Sequence, residues 1–312
     1  MKIVYFAHLK NKYRENDEDV MQGFKDLGHE VIGFDDREFN INELVEATKD
    51  ADLFLFHKGG VLENSSEDAQ ENIRMYQMTV DRLKSILMKI PKTCIKAFWY
   101  VDKIYDNRQF FIETILPLVD FALLTDGTYI RRHKYINLFS LKQGTVENRV
   151  GKYKKIYDCD IAYVGSVYGM RQQFVQKLNN EYGNRFRVYT NVRDDDFNDL
   201  CASAKIIVSP HYPLDDFYWG DRIYRVLSSK GFMLHPKLHG LQEEEGLISG
   251  KHYVGYNNYY DLMEKINMFL DPENEDIRER IAQEGHDYAI KNLNYKVKCQ
   301  KILDLVQISK FA

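Results

Sequence analysis

Polar residues follow several short apolar runs of the sequence, and these are the positions where chemistry is expected. His8 follows KIVYFA, His57 and Lys58 follow DLFLF, and Asp102 follows IKAFWYV. A carboxylate or histidine beside an apolar site can accept the proton of a hydroxyl. We predict Asp102 as a general base, with His8 and His57 as second choices. A hydrogen-bonded histidine at a strand end explains either histidine equally well.

A second group of candidates lies in the segment GSVYGMR at 165–171. Gly165 and Ser166 are small enough to let a phosphate approach backbone N–H groups, and Arg171 would neutralise its charge. A tight turn with a solvent-facing arginine explains the same residues, so both interpretations stay open.

The third group is the aromatic and charged run HYPLDDFYWGDRIYR at 211–225. Asp221 would cap the helix that follows or bind ribose hydroxyls, and Arg222 or Arg225 would hold a diphosphate. The alternative is a capped helix with a surface Arg–Asp pair. Residues at the ends of neighbouring strands are candidates as well. The predicted donor-binding residues are therefore Gly165, Ser166, Arg171, Thr190, Asn191, His211, Trp219, Asp221, Arg222 and Arg225.

Acidic runs give a weaker indication of a metal site. Asp194–Asp196 contains an Asp-x-Asp string, but it precedes FNDLCASA, where acids would cap a helix start and oppose its dipole. We therefore predict no metal there and no required cofactor. Asp35-Asp36 is predicted to be a solvated turn. Phosphate-loop, dinucleotide, zinc-protease and esterase motifs do not occur in the sequence.

A basic segment stands out from a chain whose formal net charge is -4. Between residues 129 and 155, eight Lys and Arg residues face one acid, Glu147. Such a segment would contact phosphates of a nucleic acid, although a solvated linker between domains is the favoured explanation. The predicted acceptor-binding residues are Lys58, Arg131, Arg132 and Lys134.

Composition restricts the class of protein. The 312 residues are enough for two domains, and 44% hydrophobic with 29% charged residues is ordinary for a globular protein. The four cysteines are widely spaced, which argues against a zinc module or a disulfide framework. No apolar run is long enough for a membrane span or a signal peptide, so a cytoplasmic protein is expected.

Short apolar strands alternate with amphipathic stretches, as in βα units around a parallel sheet. The first half has predicted strands at 2–7, 30–35, 52–57, 95–101 and 120–125, and helices at 15–27 and 67–88. The pattern starts again with strands at 160–165, 185–190, 205–210 and 231–235. Helices at 275–292 and 295–309 end the chain. The sequence thus predicts two α/β halves that meet near residue 150.

With these motifs in place, the chain resembles the CgeB-like, spore-maturation branch of the GT-B glycosyltransferases. The resemblance extends over nearly the whole length. It is strongest in DIAYVGSVYGMR (160–171), YWGDRIYRVLSSKGFML (218–234) and the terminal IRERIAQEGHDYAIKNLNYKVKCQKIL (277–303). Many retaining relatives carry a Glu-x7-Glu pair, whereas here Arg225 lies near the position of the second glutamate.

The resemblance implies two Rossmann-like domains facing across a cleft. Residues 1–150 would form the acceptor side and 151–292 the nucleotide-sugar side, while 293–312 would form a helix that packs back on the first domain. It also implies a nucleoside diphosphate sugar as co-substrate, with a UDP-sugar as the expected donor.

Two function classes therefore compete. The first is an enzyme that transfers a hexose or pentose from a nucleotide sugar to an acceptor hydroxyl, whether of a glycan, a protein or a hydroxylated base of DNA. The second is a non-catalytic module that binds nucleotides or sugars with the same fold. The sequence leaves open the sugar, the acceptor, the stereochemistry and the oligomeric state.

Overall fold

The strands form two parallel sheets, each flanked by helices, in a computed structural model that describes residues 1–9, 16–57, 69–147, 150–210 and 214–310. Two units divide the chain. One comprises residues 1–143 with 295–312, and the other comprises residues 144–294. No helix within these residues is long and apolar enough to cross a bilayer.

The first unit begins with a nearly regular alternation of strand and helix. Its elements are β1 (Lys2–Ala7), α1 (Asn16–Asp26), β2 (Glu30–Asp35), α2 (Ile41–Ala47), β3 (Leu53–His57), α3 (Ala69–Lys89), β4 (Ile95–Tyr100), α4 (Asp106–Ile115), β5 (Phe121–Leu124), α5 (Gly127–Arg132) and β6 (Leu138–Ser140). The six strands are parallel in the order β2-β1-β3-β4-β5-β6. The central strands are apolar on both faces because helices cover both sides of the sheet.

The second unit repeats this architecture. Its elements are β7 (Cys159–Val164), α6 (Met170–Tyr182), β8 (Phe186–Tyr189), α7 (Asp194–Ser203), β9 (Ala204–Val208), α8 (Arg222–Ser228), β10 (Met233–Pro236), α9 (His239–Glu245), β11 (Val254–Tyr256), α10 (Tyr259–Leu270) and α11 (Glu275–Asn292). The strand order is β11-β10-β9-β7-β8, again parallel. Each sheet therefore has one place where the strand order reverses, between β1 and β3 and between β7 and β9.

The last helix, α12 (Tyr295–Ser309), belongs to the first unit. It packs against α1, where a Cβ on Gly23 would lie 3.1 Å from the carbonyl oxygen of Tyr295. The Cys299 thiol donates a hydrogen bond to the carbonyl oxygen of Val20 at 3.4 Å. Because Gly23 has no side chain, the two helices can approach this closely.

All four cysteines are buried and free, in agreement with the absence of a disulfide framework expected from their spacing. The predicted strands and the four predicted helices are confirmed to within a few residues at their ends. The short strands β6 and β11 were not among the predicted elements.

Candidate active site

The site in the second unit lies where the strand order of its sheet reverses. Gly165 follows β7, and Ser209 follows the neighbouring strand β9. In open α/β sheets, ligands bind in the crevice outside the carboxyl ends of the strands at such a reversal. The Gly165-Ser166 turn predicted from sequence therefore lies at the place where this fold binds ligands.

Arg222 occupies this crevice. It is the first residue of α8, and its Nη1 donates a hydrogen bond to Ser209 Oγ at 3.3 Å. Its guanidinium lies 5.5 Å from the ring centroid of Tyr163. Within the described part of the chain, no carboxylate oxygen lies within 4.0 Å of this guanidinium. Burial lowers the pKa of Arg222, and the charge of Arg171 acts in the same direction.

Gly165 makes room for this arginine. A Cβ at Gly165 would lie 2.3 Å from Arg222 Nη2, and the backbone φ of +135° is one that residues with side chains rarely adopt. The neighbouring turn is held by Tyr163, whose hydroxyl donates to the carbonyl oxygen of Ser166 at 2.7 Å. The glycine is therefore required both by the turn and by the position of the guanidinium.

A buried histidine lies on the adjacent strand β10. His235 Nδ1 is 2.8 Å from the carbonyl oxygen of Pro236. Burial lowers the pKa of His235 to about 4, and the charge of Arg222 contributes in the same direction. The imidazole is therefore neutral at pH 7, so it adds no second positive charge to the crevice.

Arg171, also predicted from sequence, lies in the first turn of α6. Its guanidinium stacks over the exposed Tyr168 ring at 4.8 Å from the centroid. The helix begins after Gly169, and no side chain caps it there. The backbone N–H groups of Arg171 and Gln172 already donate to the carbonyl oxygens of Tyr168 and Gly169, so the helix dipole and the arginine are the features of this turn that suit an anion.

Arg225 and Asp221 form the Arg–Asp pair of the alternative interpretation, but without the predicted cap. The Arg225 guanidinium packs over the Phe197 ring at 4.2 Å, and its Nη1 is 3.9 Å from Asp221 Oδ2. Asp221 occupies the N-cap position of α8, but its side chain makes no capping hydrogen bond. The helix start was therefore predicted correctly and the capping interaction was not.

Trp219 is a correction to the predicted donor-binding set. Its side chain is fully buried in the core, and its Nε1 donates to the hydroxyl of Tyr224 at 2.7 Å. Such a ring has no face left for a nucleobase, because the surrounding apolar side chains cover it.

Thr190 and Asn191 are exposed after the edge strand β8, and His211 lies outside the described residues.

The reversal point of the first unit brings His57 together with a residue that was not predicted. Asp17, near the start of α1, accepts a hydrogen bond from His57 Nδ1 and another from the hydroxyl of Tyr5. Burial opposes ionisation of Asp17, but the charge and hydrogen bond of His57 outweigh it and lower the pKa. His57 is thus fixed by a buried carboxylate and is packed edge-on against Trp99.

His8 is the other histidine of this edge. Its backbone N–H donates to Asp17 Oδ2 at 3.3 Å, and its ring lies against Asp35, which ends β2, and Asp36, which follows it. The prediction of a solvated turn at Asp35-Asp36 is wrong, because both side chains are about 5% exposed or less. Burial raises the pKa of Asp36.

Asp102 is exposed on the turn that follows β4, at the same edge of the sheet. The adjacent Lys103 pairs with the buried Asp126 at 3.1 Å. Asp126 also accepts hydrogen bonds from Ile104 N and from the first turn of α5, so it anchors this turn.

The basic segment does not form one continuous surface of free cations. Arg131, Arg132 and Lys134 are exposed on and after α5. Lys142, in contrast, is buried and donates to the carbonyl oxygen of Thr125 at 2.6 Å. Lys154 pairs with Asp199 at 2.6 Å. Lys58 lies outside the described residues.

The acidic run at 194–196 forms the first turn of α7 without making a side-chain cap. The negative charges of these acids oppose the helix dipole, as expected, but their side chains do not cap the helix. Asp196 faces Lys154 at 3.5 Å. The positive charge beside the Asp196 carboxylate thus comes from a lysine of the same chain.

Comparison with known proteins extends this description. Residues 164–304 match the model of a family described as glycosyl transferase-like. No curated protein sequence matches the chain. Among solved structures, HepE from Anabaena, crystallised with UDP and glucose, is similar over 99% of this chain and 100% of its own, with a TM-score of 0.65 and 11% identity.

Two further structures show the same likeness. An alpha-glucosyltransferase in complex with UDP-glucose and DNA containing an abasic site has a TM-score of 0.66 at 10% identity, covering 98% of this chain and 99% of its own. A glycosyltransferase from Rickettsia africae has a TM-score of 0.60 at 11% identity, covering 99% and 98%. The chain has the GT-B fold. At these identities the GT-B likeness establishes the architecture alone.

Proposed function

We propose that this chain is a glycosyltransferase that moves a sugar from a nucleoside diphosphate sugar, with a UDP-sugar as the expected donor, to an acceptor hydroxyl. The observation that carries the proposal is the position of Arg222. A half-buried guanidinium lies where the strand order reverses, beside a glycine and a serine hydroxyl, and no carboxylate oxygen of the described residues lies within 4.0 Å of it. A bound diphosphate would pair with this guanidinium directly.

The chemistry of glycosyl transfer fits this arrangement. When the bond between the anomeric carbon and the diphosphate breaks, negative charge develops on the leaving phosphate. In our proposal, Arg222, Arg171 and the start of α6 would stabilise that charge. Arg225 packs over Phe197, so we assign it a supporting role in holding α7 against α8.

In an inverting reaction, the acceptor hydroxyl must also lose its proton to a base. Asp102 remains our candidate, because an exposed carboxylate at the strand edge of the first unit is open to an acceptor. His57 is the second choice, because its ring is buried, although Asp17 on Nδ1 would orient the ring so that Nε2 accepts a proton.

Nucleic acid is a second candidate for the acceptor. The exposed side chains of Arg131, Arg132 and Lys134 favour it, as does the likeness to an alpha-glucosyltransferase crystallised with DNA. The reaction would then modify a hydroxylated base. The pairing of Lys142 and Lys154 within the chain leaves fewer cations for phosphates than the sequence suggests.

The resemblance to the CgeB-like branch is part of the same proposal. It is carried by 160–171 and 218–234, the segments that contain Gly165 and Arg222. A non-catalytic module would keep these donor-binding residues, so donor binding alone does not separate it from an enzyme.

The test is to incubate the protein with a panel of UDP-, GDP- and TDP-sugars and to measure released nucleoside diphosphate, with and without DNA that carries hydroxymethylated bases. The proposal expects slow hydrolysis of one donor class and loss of that activity in Arg222→Ala. Arg185→Ala is the matched control, because Arg185 pairs with Asp160 at the opposite end of the sheet. Binding without any turnover, across glycan and DNA acceptors, would favour the non-catalytic module.

A further inference from the structure

Three side chains from two neighbouring strands of the first unit converge beyond the carboxyl ends of those strands. His8 follows β1, and Asp35 and Asp36 end and follow β2. The backbone joins the two strand ends, since Asp36 N donates to the carbonyl oxygen of Ala7 at 2.9 Å. One ring nitrogen of His8 and one oxygen of each carboxylate all lie within 4.8 Å of one another.

Two side chains of this cluster have buried polar atoms without a hydrogen bond. Asp36 Oδ1 and both ring nitrogens of His8 are inaccessible to solvent and make no hydrogen bond within the described part of the chain. The Asp36 side chain is 5% exposed and that of His8 is 12% exposed. Buried polar atoms are nearly always paired, so an unpaired carboxylate oxygen facing an imidazole indicates a missing partner.

The spacing suits a metal ion as that partner. Two ligands bonded to Zn²⁺ at about 2.1 Å and the tetrahedral angle lie about 3.4 Å apart. His8 Nδ1 is 3.5 Å from Asp36 Oδ1 and 4.0 Å from Asp35 Oδ2. Contraction of the cluster, whose ligand atoms all lie within 4.8 Å of one another, would bring the three atoms to bonding distance.

The carboxylate of Asp35 is already oriented by the backbone. Its Oδ1 accepts from Arg37 N at 3.0 Å, and its Oδ2 accepts from Leu9 N at 2.9 Å. Hydrogen bonds of this kind fix the direction of a ligating carboxylate and are typical of metal sites.

We propose that His8, Asp35 and Asp36 form a binding site for a divalent transition-metal ion, of the kind that imidazole and carboxylate ligands bind together, such as Zn²⁺ or Mn²⁺. Three protein ligands leave at least one coordination position open to water or to a hydroxyl of a bound molecule. The site lies in the first unit and does not depend on donor binding by Arg222 in the second.

The experiment uses the full chain without a histidine tag, treated with chelator and then titrated with Zn²⁺ and with Mn²⁺ by calorimetry. We expect one equivalent of metal per chain, and at least about tenfold weaker binding in His8→Gln and in Asp36→Asn. Metal should also raise the unfolding temperature of the parent and leave that of both variants unchanged. Asp35→Asn is avoided, because Asp35 accepts several backbone hydrogen bonds.

His239→Gln is the matched control, since His239 pairs with Asp216 at 3.0 Å on the exposed surface and offers only two ligands. It should bind metal as the parent does.

Substoichiometric binding by the parent, or equal affinity in the parent and both ligand variants, would overturn the proposal. If a ligand variant does not fold, visible absorption of Co²⁺ added to the parent decides, because binding by a histidine and two carboxylates shifts and strengthens the weak ligand-field bands of aqueous Co²⁺. A spectrum identical to that of the aqueous ion would overturn the proposal. UDP affinity measured on the same variants should stay unchanged, which separates this proposal from the proposed function.

Discussion

The guanidinium of Arg222 occupies the space that a side chain on Gly165 would need, with Nη2 only 2.3 Å from the position of a Cβ. The two residues are 57 positions apart in sequence and meet because β7 and β9 are neighbours in the sheet. The turn after β7 and the start of α8 are thus in direct contact, and both belong to the anion site that we propose.

This relationship predicts the effect of Gly165→Ala. The added methyl group would displace Arg222, and the positive φ would strain the turn by roughly 1–3 kcal/mol. We expect the affinity for UDP to fall about tenfold, as for the loss of one charged hydrogen bond. Calorimetry and urea unfolding measure the two effects.

Gly183→Ala is the control for that variant. Gly183 also has a positive φ, but nothing lies within 4 Å of a Cβ placed on it. It should lose stability and keep its UDP affinity. Equal loss of affinity in both variants would mean that strain alone, and not contact with Arg222, explains the effect.

A second prediction concerns Asp102. Replacement by Asn keeps the shape of the side chain and removes the proton acceptor, so turnover should fall by roughly 10²–10⁴ while UDP binding is retained. Steady-state kinetics at saturating donor and acceptor measure it. Asp50→Asn, on the exposed surface of the same unit, should leave turnover unchanged. Turnover within a few-fold of the parent would exclude Asp102 as the base.

A third prediction is that donor binding needs no metal at Asp194–Asp196. These acids open α7, and Asp196 already faces Lys154. UDP affinity should be the same in chelator and in Mg²⁺, and the same in Asp194→Asn. Donor binding that disappears in chelator and returns with Mg²⁺ or Mn²⁺ would contradict this expectation.

His235 gives a prediction about pH. Its pKa is about 4 in the folded protein and near 6.5 in an unfolded chain, so the unfolded state binds the additional proton between these values. Stability should therefore fall by about 3 kcal/mol as the pH decreases from 6.5 to 4, and this contribution should change no further below pH 4.

Urea unfolding at pH 7.5 and pH 4.5 tests this contribution by comparing the parent with His235→Asn, which retains an N–H donor without titrating. The variant should lose less stability on acidification than the parent. His239→Asn, at an exposed site, should behave like the parent. An identical pH dependence in the parent and His235→Asn would show that the buried imidazole is not responsible.

Much of the fold could be predicted from the sequence, because buried parallel strands are continuous apolar runs. KIVYFA and EVIGFD coincide with β1 and β2 to the residue. The three-residue strands β6 and β11 are too short to give a pattern, and they form because a longer neighbouring strand pairs with them.

Less of the candidate site could be predicted from the sequence. Gly165 and Arg222 could be proposed because glycine at a strand end and arginine at a helix start have a clear chemical use. Ser209 and His235 gave no comparable indication, since their proximity to Arg222 depends on strand order. Burial was also hard to predict from the sequence. Trp219 and Asp35 lie in charged stretches that are typical of a surface or a binding site, but the fold buries both side chains.

Binding of a nucleoside diphosphate by Arg222, in the crevice between β7 and β9, is best measured by calorimetric titration with UDP of the parent, Arg222→Ala and Arg185→Ala. We expect saturable binding to the parent and to Arg185→Ala, with binding to Arg222→Ala weaker by about 1.5–3 kcal/mol, or roughly 10- to 150-fold. Equal affinity in the parent and Arg222→Ala, or no binding of UDP or any other nucleoside diphosphate to the parent, would contradict it.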